Sequence, residues 1–173
     1  MKPVPMTDDL RSLYQEIILD HGKNPRNAHL IADHTCKAQG NNPMCGDRVT
    51  VTAKVADGVM QDVGFEGKGC AISIASASMM TDALKGQSTA TARKLFEAVQ
   101  ELCTGKAGAD DIKTRFGADL EMSVERLASL SGVSQFPVRV KCATLPWHAL
   151  MSCLEGKGQT TTEKRGEAAM EKP

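Results

Sequence analysis

The sequence predicts an α+β fold, in which a small three-stranded antiparallel sheet packs against several helices. Two patterns support this prediction. Near the N-terminus, apolar residues recur at helical spacing, at Leu10, Leu13 and Ile17. From residue 47 to residue 55 apolar and polar residues alternate, which is typical of a strand with one buried face. The Asp-Gly pair at positions 57–58 then indicates a hairpin turn into a second strand.

The elements follow from start, stop and periodicity signals. The predicted elements are a helix over residues 8–20, strands over 35–39, 47–55 and 59–65, and helices over 71–84, 89–103, 123–130 and 138–154. Thr7 caps the first helix, and Ser88 or Thr89 caps the helix that begins near residue 89. Gly86 ends the helix that follows the glycine-rich turn GKGC.

The second half of the chain contains weaker signals. Residues 104–122 are polar and interrupted by glycine, so we expect an inserted excursion there. Pro146 lacks an N–H and is most easily accommodated in a first turn, which places the start of the last helix near Cys142. Residues 155–173 have almost no apolar content. We therefore predict one domain over residues 1–154 and a disordered tail over residues 155–173.

Composition excludes several classes of function. Lysine plus arginine and aspartate plus glutamate number 21 each, and aromatic residues make up 3% of the chain. The chain therefore lacks the excess of positive charge that binds phosphates and the aromatic residues on which bases stack, so we do not expect it to bind nucleic acid. No apolar run is long enough to span a membrane, and the polar N-terminus is unlike a signal peptide, so we expect a cytoplasmic protein. In that reducing compartment the six cysteines are expected to be thiols, metal ligands or catalytic groups rather than disulfides.

Three cysteines and one aspartate have a context that suits a metal site. Cys45 and Asp47 are two residues apart where a strand begins, so their side chains share one face, and Gly46 allows close approach between them. Cys70 and Cys142 are both predicted near helix N-termini, where the dipole favours the thiolate. Three thiolates and a carboxylate form a set of four ligands that zinc binds tetrahedrally.

The cysteines also allow a plainer interpretation. Buried cysteine is a common small hydrophobic residue, and no two of these cysteines form a CxxC pair, so their spacing alone is a weak signal for zinc. We expect Cys36, Cys103 and Cys153 to be simple core or surface thiols. His34 is a spare ligand or, more simply, a solvated loop residue.

Four longer motifs resemble one family. They are LYQEIILDHGKNPRN (13–27), NPMCGD (42–47), GKGCAISIASASMM (67–80) and FPVRVKCATLPWHAL (136–150). Together they resemble the U-type iron–sulfur assembly proteins, the family of IscU and the N-terminal part of NifU, and they are most similar to its SufU branch. The resemblance implies a three-stranded sheet packed on helices and a ligand set of Cys45, Asp47, Cys70 and Cys142.

Features of the stretch between Cys70 and Cys142 favour the SufU branch. Lys141 stands where the scaffold branch has a histidine, the proline-rich chaperone motif of that branch is missing before Cys142, and the stretch after Cys70 is long. The resemblance thus implies a zinc-bound, sulfurtransferase-like acceptor that takes persulfide sulfur from a SufS-type cysteine desulfurase. Downstream scaffolds or apo-proteins would receive the sulfur. The alternative is a scaffold on which a [2Fe–2S] cluster is assembled by the same residues.

Three residues are predicted to act in sulfur transfer. Cys45 lies on a glycine-flanked loop and is the predicted attacking thiol. Arg139 and Lys141 either stabilise the freed thiolate or the docked partner, or they belong to a solvated basic patch. Asp47 is either a permanent ligand or the labile one that lets the site rearrange.

Overall fold

The computed structural model describes residues 7–161 of the chain. Its helices are α1 (Asp8–Lys23), α2 (Ala71–Leu84), α3 (Thr89–Thr104), α4 (Ala109–Phe116), α5 (Glu121–Leu127) and α6 (Pro137–Leu154). Its strands are β1 (Cys36–Asn42), β2 (Asp47–Ala56), β3 (Val59–Lys68) and β4 (Gln159–Thr161). The α+β class predicted from the sequence is confirmed.

The sheet contains four strands rather than the predicted three, in the order β3-β2-β1-β4. The first three are antiparallel neighbours, as the alternating pattern predicts, whereas β4 pairs in parallel with the free edge of β1. A turn through Gly156, at φ +78°, brings the chain back from α6 to that edge. The prediction of a disordered tail is therefore wrong for residues 155–161, and residues 162–173 lie outside the described range.

The core lies between the inner face of the sheet and helices α2 and α6. The side chains of Trp147 on α6, Phe65 on β3 and Met80 on α2 are almost completely buried there. Small residues bring the two central helices together, and the Ser76 hydroxyl donates a hydrogen bond to the Ala143 carbonyl across their interface. This packing fixes α2 and α6 relative to the sheet and to each other.

Helix α6 begins earlier than predicted. It starts at Pro137, which occupies the first turn, and Pro146 lies inside the helix. The expectation that Pro146 marks a first turn, and that Cys142 therefore stands at a helix N-terminus, is wrong. Pro137 satisfies the preference for proline in the first turn, and the buried environment of Pro146 holds the helix together despite the missing N–H.

The inserted excursion over residues 104–122 is helical. Gly105, at φ +74°, ends α3, and α4, a short 3-10 turn and α5 follow. Ile112 in α4 is fully buried, and the Arg115 guanidinium binds both Glu101 carboxylate oxygens at 2.7 and 2.8 Å. These contacts anchor the insertion against α3.

Cys36 and Cys153 form a disulfide bond, with their Cα atoms 5.3 Å apart. The expectation that both are simple thiols is therefore wrong. The bond joins the first residue of β1 to the last turn of α6, two positions 117 residues apart in the chain. Their proximity is created by the packing of α6 on the sheet.

Among residues 7–161, no helix combines the length and the apolar character that crossing a membrane requires.

Candidate metal centre

Cys45 lies in a tight turn between β1 and β2. The backbone N–H groups of Cys45 and Gly46 both donate to the Asn42 carbonyl, at 3.2 and 2.8 Å, and the Met44 N–H donates to the Asn42 side chain at 3.2 Å. Gly46 has φ +74°, a conformation that favours glycine. The glycine after Cys45 is therefore required by the turn, which leaves the cysteine exposed at its tip.

Asp47 and Cys70 are joined by two hydrogen bonds. Asp47 is the first residue of β2 and is 2% exposed, and Cys70 is the N-cap residue of α2. The Cys70 backbone N–H donates to Asp47 Oδ1 at 2.9 Å, and its thiol donates to Oδ2 at 3.6 Å. A β-carbon at Gly69 would overlap the Asp47 carboxylate, so this contact requires glycine at position 69.

Cys142 is the candidate ligand that α6 contributes to the site. It lies in the second turn of the helix and is 2% exposed. Its sulfur is 3.5 Å from the Cys45 sulfur and accepts a hydrogen bond from Asn42 Nδ2 at 3.6 Å. Burial, followed by hydrogen bonds with Asp47, Cys45 and Cys70, raises the pKa of the Cys142 thiol well above its usual range.

The structure brings the four predicted ligands together. Ligand atoms of Cys45, Asp47 and Cys142 all lie within 4.8 Å of one another, and Cys70 joins them through its contact with Asp47. Among the residues that the structure describes, this is the one group of three or more potential ligands that is close enough to hold an ion. Three sulfurs and a carboxylate fit zinc, and thiolates equally suit an iron–sulfur cluster.

The two basic residues predicted to assist are on the first turns of α6. Arg139 is exposed, and its guanidinium lies 4.6 Å from the centre of the Phe136 ring. Lys141 is half-buried and immediately precedes Cys142. Their roles in sulfur transfer stay predictions.

Two other residues that could bind a metal, Cys103 and His34, have local surroundings that explain them without one. Cys103 is fully buried, and burial raises the pKa of its thiol to about 12, which agrees with the expected core cysteine. His34 Nδ1 is 2.8 Å from the Ile31 carbonyl oxygen. Neither belongs to the metal centre.

Two residues of the site escaped the sequence analysis. Asn42 is fully buried, organises the Cys45 turn and contacts the Cys142 sulfur. Its position before a proline marks a turn but does not reveal a contact with a cysteine 100 residues away. Gly69 was recognised only as part of a glycine-rich turn, and its contact with Asp47 arises from the pairing of β2 with β3.

Comparison with known proteins identifies the family. Residues 13–126 match the NifU-like N-terminal domain. The chain belongs to this family. It is 44% identical over 142 residues to the zinc-dependent sulfurtransferase SufU of Bacillus subtilis, an alignment that covers 82% of this chain and 89% of that protein. The chain is also similar to an iron–sulfur cluster assembly scaffold protein IscU of Streptococcus pyogenes, at 38% identity over 84% of this chain and 85% of the relative.

A solved structure supports the same assignment. A putative iron–sulfur cluster assembly scaffold protein for the SUF system from Fervidobacterium islandicum superimposes with a TM-score of 0.69 at 28% identity. The superposition covers 83% of this chain and 98% of that protein. The fold of this NifU-like domain is thus that of known assembly proteins, and the resemblance of its motifs to the U-type family is confirmed.

Proposed function

We propose that this NifU-like protein is a zinc-dependent sulfur acceptor in iron–sulfur cluster assembly, which takes persulfide sulfur from a SufS-type cysteine desulfurase. Its 44% identity to a zinc-dependent sulfurtransferase supports the choice of metal and of activity. The three thiols and the carboxylate supply the ligand set, Cys45, Asp47, Cys70 and Cys142, that zinc prefers. A bound zinc ion keeps such thiols deprotonated at neutral pH.

The unequal exposure of the cysteines is the observation that supports Cys45 as the acceptor. Cys142 is buried within α6, and Cys70 is half-buried at the start of α2, whereas Cys45 is exposed at the tip of a turn. A persulfide on a partner protein can reach Cys45 without movement of either helix. The Cys45 turn also changes conformation more easily than a packed helix, because Gly46 gives its backbone freedom.

The transfer is an ordinary thiol exchange. The Cys45 thiolate attacks the terminal sulfur of the donor persulfide and forms a new sulfur–sulfur bond. The bond to the donor cysteine breaks, and that cysteine leaves as a thiolate. Cys45 then holds the persulfide and passes its sulfur to a downstream scaffold or apo-protein. We place this reaction in the cytoplasm.

Arg139 and Lys141 contribute positive charge near the acceptor. Arg139 is exposed beside Phe136, so it is available to a docked partner, and Lys141 is adjacent to Cys142 in the chain. In this proposal they stabilise the Cys45 thiolate during its transfer or the complex with the desulfurase. The competing interpretation of Arg139 is a solvated cation that stacks on Phe136.

The proposal is tested by measuring the turnover of a SufS-type desulfurase with this protein added, zinc-loaded and zinc-stripped. We expect strong stimulation that requires zinc and is lost in Cys45→Ala. Cys103→Ala is the matched control, because that thiol is buried away from the site, and it should stimulate as wild type does. Zinc-loaded protein that fails to stimulate, or Cys45→Ala protein that stimulates fully, would overturn the proposal.

A scaffold function is the second candidate, because the same sulfur ligands suit a [2Fe–2S] cluster and the IscU scaffold protein of Streptococcus pyogenes is 38% identical. If zinc-stripped protein stimulates the desulfurase as well as the loaded form, zinc is dispensable. Iron and sulfide added to the stripped protein should then produce the visible absorption of a cluster, and its loss in Cys45→Ala would favour the scaffold.

A further inference from the structure

The disulfide bond between Cys36 and Cys153 lies outside the metal centre and has no part in the proposed sulfur transfer. Cys36 is the first residue of β1 and is half-buried, whereas Cys153 is 1% exposed near the end of α6. Their Cα separation of 5.3 Å is within the range that a disulfide spans without backbone movement. Roughly three turns of α6 separate Cys153 from Cys142, so the bond and the metal centre are at opposite ends of one helix.

β1 and α6 pack tightly along the path between those two ends. A β-carbon added at Gly40, in the middle of β1, would lie 2.9 Å from Leu145 Cδ1 and 3.3 Å from Ala149 Cβ. At the far end, Asn42 of β1 contacts the Cys142 sulfur. The disulfide therefore closes one end of a pair of elements whose other end forms part of the metal centre.

Backbone hydrogen bonds attach the described segment that follows Cys153. The Gly156 and Lys157 N–H groups donate to the Cys153 and Ser152 carbonyls, at 3.1 and 2.8 Å. The Gln39 N–H of β1 donates to the Gly158 carbonyl at 2.9 Å, and β4 adds only three residue pairs with β1. All three residues of β4 are exposed or half-buried, so the strand has little apolar burial of its own.

We propose that the Cys36–Cys153 bond is a reversible redox site, opened by small thiol reductants and closed again by small disulfides, which accept the two electrons and are reduced to thiols. In its oxidised form the bond holds the turn at residues 155–158 and β4 against β1. Opening the bond releases this C-terminal attachment while the rest of the fold stays intact. The placement of the two cysteines and the shortness of β4, a strand of three residues none of which is buried, support this inference.

The order of the thiol–disulfide exchange steps follows from the different exposure of Cys36 and Cys153. A thiolate of the reductant attacks the sulfur of Cys36, the more accessible residue, and forms a mixed disulfide, while Cys153 leaves as a thiolate and takes up a proton. A second thiolate attacks the reductant's sulfur in the mixed disulfide and releases Cys36. Two small thiols are thereby oxidised to a disulfide, and the protein gains two electrons and two protons.

Zinc-loaded full-length protein in glutathione buffers of graded redox ratio tests this proposal. The bonded fraction is measured by alkylation and mass spectrometry, and amide hydrogen exchange is followed by NMR in both states. We expect one reversible two-electron transition. On reduction, exchange should become about tenfold faster or more at Gln39, Gly156 and Lys157. It should be unchanged at Met60, whose N–H donates to the Gln87 carbonyl at 2.8 Å in another part of the molecule.

The variants make the outcome decisive. Cys36→Ser/Cys153→Ser should exchange rapidly at the same three amides under oxidising and reducing conditions alike, and Cys103→Ala should behave as wild type. Free Cys36 and Cys153 thiols in oxidised, folded protein would overturn the proposal. Equal exchange in both redox states, or equal acceleration at Met60, would also overturn it. No sulfur donor is present, so this result is independent of the proposed function.

Discussion

Gly69 shows how a residue without a side chain determines the metal centre. It precedes Cys70, has φ +154°, and faces the Asp47 carboxylate so closely that a β-carbon has no room. The same carboxylate accepts the hydrogen bond from the Cys70 N–H. Asp47 belongs to β2 and Cys70 to the start of α2. They can form their hydrogen bonds only because position 69 is glycine.

Gly69→Ala is predicted to weaken zinc binding while the domain stays folded. The added methyl group displaces Asp47 from Cys70, and loss of the contacts that orient a ligand typically lowers metal affinity about 10- to 100-fold. Zinc affinity is measured by competition with a chromophoric chelator. Gly108→Ala is the matched control, because a β-carbon there has no neighbour within 4 Å and Gly108 has an ordinary φ of −91°. Equal affinities for the two variants would contradict the prediction.

At the level of residues, sequence reasoning found what local chemistry reveals. The glycine after Cys45, the spacing to Asp47 and the motifs shared with the U-type family all point to the four residues that the structure brings together. Asn42 and the partnership of Cys36 with Cys153 were missed. Both depend on the contact between β1 and α6, which are about 100 residues apart and have no shared local pattern.

Helix α6 contains an irregularity at the metal centre. Pro146 lies inside the helix, four residues after Cys142. Proline has no N–H, so the Cys142 carbonyl cannot receive the usual helical hydrogen bond from position 146, and the proline ring crowds that carbonyl. The helix therefore lacks one backbone hydrogen bond at a candidate zinc ligand.

Pro146→Ala is predicted to stabilise the domain by about 1 kcal/mol. The substitution restores the helical hydrogen bond to Cys142, a gain of up to about 3 kcal/mol, and loses about 1.5 kcal/mol of buried apolar surface. Urea unfolding of the metal-free protein measures the difference. Pro137→Ala is the control, since proline at the first helical position has no hydrogen bond to lose, and it should give no gain. A destabilised Pro146→Ala protein would show that the ring's packing outweighs the missing bond.

Elements with a strong periodic pattern were predicted well, and elements without one were not. The alternation in β2 and β3 and the apolar spacing of α1 identify those elements locally. β4 has three polar residues and exists because the free edge of β1 offers backbone partners. Helix α4 of the insertion was missed because the burial of its Ile112 depends on packing against the rest of the fold, whereas α5 overlaps the helix predicted over residues 123–130.

For the molecule as a whole, two half-buried histidines, His21 and His148, link the free energy of unfolding to pH. His21 Nδ1 is 2.7 Å from the Ser78 hydroxyl, which already accepts a hydrogen bond from the Arg26 N–H at 2.8 Å. Whether the Ser78 hydroxyl donates to His21 or accepts from it depends on which ring nitrogen of His21 carries the proton. Burial is the main cause that lowers the pKa of His21, and Arg26 adds to it, whereas Asp82 and Asp20 oppose it.

His148 of α6 affects the pH dependence of the free energy of unfolding in the same direction as His21. It packs edge-on against Phe96 of α3, with ring centres 5.2 Å apart, and burial lowers the pKa of its imidazole. In the unfolded chain both histidines return to a pKa of about 6.5. Below that pH the unfolded state binds more protons than the folded state, so the free energy of unfolding falls as the pH falls. Above about pH 7 both states hold neutral histidines and this contribution is constant.

The free energy of unfolding is therefore predicted to decrease from pH 7 to pH 5.5, by at most about 1.4 kcal/mol per pH unit for each histidine. Urea unfolding of metal-free wild-type protein, His21→Gln, His148→Gln and the double variant measures the slope, and the absence of zinc removes proton release by the ligands. Each single variant should lose part of the slope and the double variant most of it, whatever its absolute stability. If the double variant keeps the wild-type slope, the acid sensitivity originates in other groups.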